Sequence, residues 1–109
     1  MCRAATVLCV APDAERLGEL KRAAVAAEWE LARGATDMRE ALDQVDAVRP
    51  HAMAVFGPFE ELVALVSERF PAMTIVADRE MPGATTVVEG LPDVRAALRE
   101  QRRPGGPVG

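Results

Sequence analysis

The chain has 109 residues, a formal net charge of −4 and a hydrophobic content of 50%. This length suits one domain with one core and is too short for two. The hydrophobic content excludes disorder over the body of the chain. The negative charge and the 4% of aromatic residues argue against a nucleic-acid partner, because phosphates are bound mainly by Lys and Arg and single-stranded bases by aromatic rings.

The cysteines and the lengths of the apolar runs bear on compartment and cofactors. Cys2 and Cys9 have no His or Cys cluster beside them, so neither a disulfide framework nor a zinc site is predicted. Cys9 lies within an apolar run and should be an inert buried thiol. No stretch reaches the length of a membrane span, and the first residues lack a signal-peptide pattern. We therefore expect a cytoplasmic protein with no membrane partner and no cofactor.

Short apolar runs alternate with amphipathic segments along the chain. In order, the pattern predicts a strand at 5–11, a helix at 14–27, a strand at 29–33, a helix at 38–48, a strand at 51–56, a helix at 59–70, strands at 72–77 and 84–88, and a helix at 92–101. Thr36 is expected to cap the second helix and Pro58 to open the third. Such alternation is typical of an α/β fold with a parallel sheet. We predict one domain over residues 1–101 and a flexible tail or linker stub over 102–109.

One helix of this alternating pattern is missing. Only residues 78–83 separate the fourth and fifth strands, whereas a parallel crossover normally takes roughly a dozen residues or more. Six extended residues span at most about 20 Å, barely more than the roughly 17 Å needed to return along a five-residue strand. A stretched parallel connection and an antiparallel fifth strand both stay open. We favour the parallel strand because the end of the chain still has a strand followed by a helix.

Region 6–98 resembles the receiver domain of two-component response regulators. The resemblance is carried by Thr6-Val7-Leu8-Cys9-Val10, by Val48-Arg49-Pro50-His51-Ala52-Met53-Ala54-Val55, by the helical run 59–71 leading into Met73-Thr74-Ile75-Val76, and by Gly83-Ala84-Thr85-Thr86-Val87-Val88. It implies a flavodoxin-like, doubly wound α/β fold with strand order 2-1-3-4-5. In this chain the helix between strands 4 and 5 would be absent.

The resemblance also implies a phosphorylation site at the carboxyl ends of the strands, and there this sequence departs from the family. The family's acidic pair, phosphoacceptor aspartate, Thr or Ser, and Lys correspond here to Ala11-Pro12-Asp13, Val55-Phe56-Gly57, Ala77 and Gly90. Phosphoryl transfer to a carboxylate needs that nucleophile, a metal ion and a cationic group. We therefore predict a pseudo-receiver that is not an enzyme and is not phosphorylated.

Three acidic residues still follow predicted strands. Asp13, Asp78 and Glu89 lie where ligands bind in open α/β sheets, so Asp13 and Asp78 are candidate cation ligands. We favour the structural interpretation, in which Asp13 caps the first helix and the others are solvated loop charges, because one placed carboxylate does not make a cage for a hard cation. His51 is expected to be a strand-start residue without a catalytic role.

The missing helix suggests an interaction surface. Losing one crossover helix should leave part of the sheet bare, and several hundred Å² of exposed apolar surface usually marks an interface. The predicted interface residues are Ile75, Met81, Val87, Val88, Val94 and Leu98. The alternative is that loop 78–83 folds over the gap.

The function that these observations favour is a non-catalytic signalling or regulatory module that forms a homodimer or docks a protein partner. The alternative is a sensor that binds a small ligand or a cation around Asp13, Gly57 and Asp78.

Overall fold

The computed structural model describes residues 6–26 and 29–102. The strands are β1 (Thr6–Val10), β2 (Glu30–Leu31), β3 (Ala52–Val55), β4 (Thr74–Ala77) and β5 (Thr86–Val87). The helices are α1 (Ala14–Ala26), α2 (Met38–Val48), α3 (Glu60–Arg69) and α4 (Leu91–Arg102). The predicted tail lies outside the described residues from 103 onward, as do the predicted strand residue Ala5 and helix residue Ala27.

All five strands form one parallel sheet in the order β2-β1-β3-β4-β5. The predicted doubly wound topology is therefore confirmed, and so is the parallel direction of β5. Each strand is shorter than predicted. None of the described helices is both long and apolar enough to cross a bilayer.

Two hydrophobic cores lie on opposite faces of the sheet, because successive side chains of a strand point to opposite sides. Val7, Cys9, Ala52, Ala54 and Val76 pack against α1 and α4 on one face. The other core, against α2 and α3, contains Leu8, Val10, Met53, Val55, Ile75 and Ala77. β1 and β3 are buried on both faces, which explains why both are continuous apolar runs.

The connection from β4 to β5 contains no helix, as predicted, but it covers the sheet itself. Met81 reaches into the core beneath α3 and is 8% exposed. Gly83 has φ +98°, and a Cβ built on it would come within 2.8 Å of the Ser67 Cβ and 3.1 Å of the Val63 carbonyl oxygen on α3. Only a residue without a side chain brings the backbone this close to the helix at this φ. The loop therefore replaces the missing helix on this face.

The ends of the helices differ from the predictions in two places. Asp37, not Thr36, caps α2: its Oδ1 accepts a hydrogen bond from the Glu40 backbone N–H at 2.8 Å. Glu40 in turn accepts from the Thr36 N–H, which places Thr36 just outside the helix. α3 begins at Glu60, so Pro58 lies before the helix rather than in its first turn.

Two side chains tie the outer part of the sheet to the helices. Trp29 is buried immediately before β2, and its Nε1–H donates to the Leu98 carbonyl of α4 at 2.9 Å. Gln44 of α2, 8% exposed, bonds both backbone groups of Gly34: its Oε1 accepts from the Gly34 N–H at 2.9 Å and its Nε2 donates to the Gly34 carbonyl. The turn between β2 and α2 thus depends on one amide.

Replacing Gln44 with Glu should destabilise the protein by about 1–3 kcal/mol, because the carboxylate cannot donate to the buried Gly34 carbonyl. Urea unfolding measures the change in free energy. Asp43→Asn is the matched control, since Asp43 is the exposed neighbour on the same helix and should change stability by less than about 0.5 kcal/mol. Equal effects of the two variants would contradict the assigned role of Gln44.

Candidate functional site

The carboxyl edge of the sheet is the place where ligands of doubly wound folds bind. The backbone holds this edge in register: the N–H groups of Phe56, Asp78 and Val88 donate to the carbonyls of Val10, Val55 and Ala77 at 2.8–3.2 Å. Each of these residues directly follows a strand. Phe56 and Val88 are apolar and buried, so Asp78 is the carboxylate that this arrangement brings to the edge.

Both carboxylate oxygens of Asp78 are engaged by the protein. The Gly57 N–H lies 3.3 Å from Oδ1 and from Oδ2. Arg79 donates from Nε to Oδ1 at 3.1 Å and from Nη2 to Oδ2 at 3.3 Å, so the two residues form a bidentate ion pair. The hydrogen bond to Asp78 raises the pKa of Arg79. The Asp78 side chain is 15% exposed, so Asp78 is a paired carboxylate and the prediction of a solvated loop charge is wrong for it.

Gly57 lies between Asp78 and two apolar side chains. Its φ is +108°, and a Cβ built there would lie 3.1 Å from the Pro12 Cδ and 3.2 Å from the Phe59 Cε2. Glycine is required here because the conformation is left-handed and the space is taken. Pro12, Gly57 and Phe59 are thus closely packed at the centre of the carboxyl edge.

Asp13, one of the two candidate cation ligands, bonds the backbone of α1. Asp13 is exposed and its Oδ1 accepts a hydrogen bond from the Arg16 N–H at 2.8 Å, which makes it the cap of α1. Glu89 is exposed. Within residues 6–26 and 29–102 no three His, Cys, Asp or Glu side chains come close enough together to hold a metal ion. The hydrogen bond from Arg16 is the cap of α1 that we predicted for Asp13.

The predicted interface is wrong for five of its six residues, because the chain buries them itself. Ile75 and Met81 belong to the core under α2 and α3, and Val88, Val94 and Leu98 belong to the core under α1 and α4. The two groups therefore lie on opposite faces of the sheet and cannot form one surface. The prediction failed because it ignored this alternation and treated loop 78–83 as open.

Val87 is the predicted interface residue that stays exposed, at 45%. It pairs with Ala77, whose side chain faces α2 and α3. Val87 therefore lies on the same face as α2 and α3, where the crossover helix between β4 and β5 is missing. β5 is a strand of two residues at the outer end of the sheet order. The exposed apolar surface left by the missing helix is thus centred on one valine at the sheet edge.

Sequence reasoning missed the partners of Asp78. An Asp followed by an Arg is a common dipeptide, and nothing in the sequence shows that these two neighbouring side chains form an ion pair. The positive φ of Gly57 was also hidden, although Gly-Pro after an apolar strand is a turn signal that could have suggested it.

Comparison with solved structures places the fold among known ones. CheY4 of Vibrio cholerae, a chemotaxis protein, superposes with a TM-score of 0.73 at 20% identity over 93% of this chain and 100% of its own. A CheY-like receiver domain of Methanospirillum hungatei gives 0.74 at 16% identity, over 91% and 94% of the two chains. An orphan response regulator of H. pylori gives 0.71 at 12% identity, over 91% and 97%. The fold is that of a response-regulator receiver domain. No protein-family model matches the chain, and no curated protein does.

Cys9 lies in β1 of this receiver fold, and burial raises the pKa of its thiol to about 12. In a Cys2→Ser background the native protein should therefore react with iodoacetamide far more slowly than the urea-unfolded chain at pH 8, as ESI mass spectrometry would show. The thiol ionises near pH 9 in the unfolded chain, whereas its pKa in the native protein is about 12. The free energy of unfolding should therefore fall as pH rises from about 9 to 12. Equal alkylation rates in the native and unfolded states would contradict the burial of this thiol.

Proposed function

We propose that the chain is a non-catalytic signalling module with a receiver fold, which acts through contact with other protein molecules and without aspartyl phosphorylation. The fold supports the signalling role. The carboxyl edge supports the absence of phosphorylation, and the Asp78–Arg79 pair is the single observation that carries this part of the proposal.

A phosphoacceptor carboxylate must present one oxygen to the incoming phosphorus, with a metal ion to neutralise the developing charge. Asp78 has both oxygens engaged by Gly57 and Arg79, and it follows β4 rather than β3. The residues after β3 are Phe56 and Gly57, neither of which carries a carboxylate. Before Asp78 could attack a phosphoryl group, it would have to lose its bidentate ion pair with Arg79 and its hydrogen bond from the Gly57 backbone.

Incubation with acetyl phosphate and Mg²⁺ should leave the mass of the intact protein unchanged. The melting midpoint should also stay the same with Mg²⁺ and beryllofluoride, because a ligand that binds only the folded state must raise it. Asp78→Asn is the matched variant, since it keeps an acceptor for Gly57 and removes the carboxylate. A phosphoryl adduct present in the wild type and absent from Asp78→Asn would overturn the proposal, and so would an adduct on another aspartate.

The protein contact is proposed at the outer edge of the sheet, where Val87 is exposed. An edge strand offers unpaired backbone groups to another chain, and its short length and exposed valine suit a small contact. A second copy of this chain is the first candidate occupant, because two equivalent edges can meet around a twofold axis.

Val87→Lys should shift a homodimer to the monomer in light scattering, because a lysine on an edge strand opposes strand pairing. Val25→Lys is the matched control: Val25 is 56% exposed on α1, on the other face of the sheet, and should leave the mass unchanged. A wild-type monomer at all concentrations would exclude the homodimer. A dimer that is insensitive to Val87→Lys would place the contact elsewhere.

A further inference from the structure

A cavity of about 420 Å³ opens at the amino edge of the sheet, opposite the carboxyl edge described above. It lies where α2 and α3 end and where the chain enters β3 and β4. Its lining consists of Arg49, Pro50, His51, Arg69, Phe70, Pro71, Ala72 and Met73. Most of these residues are apolar, and three of them carry a nitrogen donor, so the cavity combines an apolar wall with cationic side chains.

Arg49 occupies a backbone position that favours glycine. It ends α2 with φ 53° and ψ 62°, and it is the one non-glycine residue with positive φ among residues 6–26 and 29–102. Pro50 follows it, and a residue before proline is normally extended. Glycine is the residue of lowest conformational cost at such a helix end. The sequence places an arginine there, and its side chain lines the cavity.

Two guanidinium groups lie close to one aromatic ring in this cavity. The Cζ atoms of Arg49 and Arg69 lie 5.5 and 5.7 Å from the centre of the Phe70 ring, within cation–π distance. Arg69 also contacts Asp46 at 3.4 Å, in an ion pair between half-exposed side chains that contributes little. Within the described part of the chain, no ion pair joins Arg49 to a carboxylate.

His51 adds an oriented ring. Its backbone N–H donates to the Thr6 carbonyl at 2.8 Å, and its Nδ1 accepts from the Thr6 N–H at 3.2 Å. An accepting Nδ1 places the proton of the neutral ring on Nε2. The ring is thus held by β1 and offers a donor from Nε2.

We propose that this cavity binds a small organic anion: an apolar body seated on Phe70, Pro71 and Met73, with a carboxylate or phosphate group held by Arg49 and Arg69. Guanidinium groups bind both oxyanions through paired hydrogen bonds. The volume lies in the range of small-molecule sites. The carboxyl ends of α2 and α3 also meet here, and their partial negative charge opposes a bare anion. The apolar body is therefore required for binding.

The test is a titration of the ¹⁵N-labelled protein with four probes: phenyl phosphate, phenylacetate, inorganic phosphate and benzyl alcohol. Phenyl phosphate and phenylacetate should shift the amide signals of His51, Phe70, Ala72 and Met73. Their Kd should be on the order of 1 mM, which suits a small open site. Whichever of the two binds more tightly identifies the preferred oxyanion. Inorganic phosphate lacks the apolar body and benzyl alcohol lacks the charge, so neither should saturate these shifts.

Variants separate binding from folding. Arg49→Gly and Arg69→Gln should each weaken the binding of both aromatic anions by about tenfold or more. Arg49→Gly should leave the melting midpoint unchanged or higher, because glycine suits this φ. Arg95→Gln removes one positive charge from an exposed position of α4 and should leave binding unchanged. Undiminished binding by Arg49→Gly, equal binding of benzyl alcohol, or shifts centred on Gly57 and Asp78 would overturn the proposal.

Discussion

A parallel sheet whose central strands are apolar on both faces must be covered on both faces, and this constraint governs the whole molecule. α1 and α4 cover one side and α2 and α3 the other. On the second side the chain has one helix fewer. There the connection from β4 to β5 packs directly against α3, through the buried Met81 side chain and the Gly83 backbone. The cover is nearly complete, and Val87 at the sheet edge is what it leaves exposed.

The topology followed from the sequence because it depends on features that a linear pattern carries. Buried strands are continuous apolar runs, helices have their own period, and six residues are too few for a crossover helix. The helix ends were less accessible, since Thr36 and Asp37 are both good caps and only the backbone conformation decides between them. The prediction that the sheet would stay bare where the helix is missing was wrong. The cover of this region depends on the packing of Met81 and on the close approach of Gly83 to Ser67. Neither has a signature in spacing.

The two edges of the sheet have opposite characters. At the carboxyl edge, Asp78 is satisfied by Gly57 and Arg79, while Pro12 and Phe59 crowd the centre. At the amino edge, Arg49 and Arg69 lie beside an aromatic ring and an apolar hollow. The sequence resemblance directs attention to the first edge, whereas the cavity with its two arginines lies at the second. This division could not be read from the chain, because the residues that line the cavity come from two segments, 49–51 and 69–73, that are far apart in sequence.

The buried indole of Trp29 has a practical consequence. The chain has a single tryptophan and no tyrosine, so its intrinsic fluorescence under 295 nm excitation comes from this one ring, by the general photophysics of aromatic side chains. The indole N–H is bonded to the backbone of α4, 69 positions away. Emission colour therefore reports whether the last helix is seated on the sheet, and any event that lifts this helix would be visible without an added label.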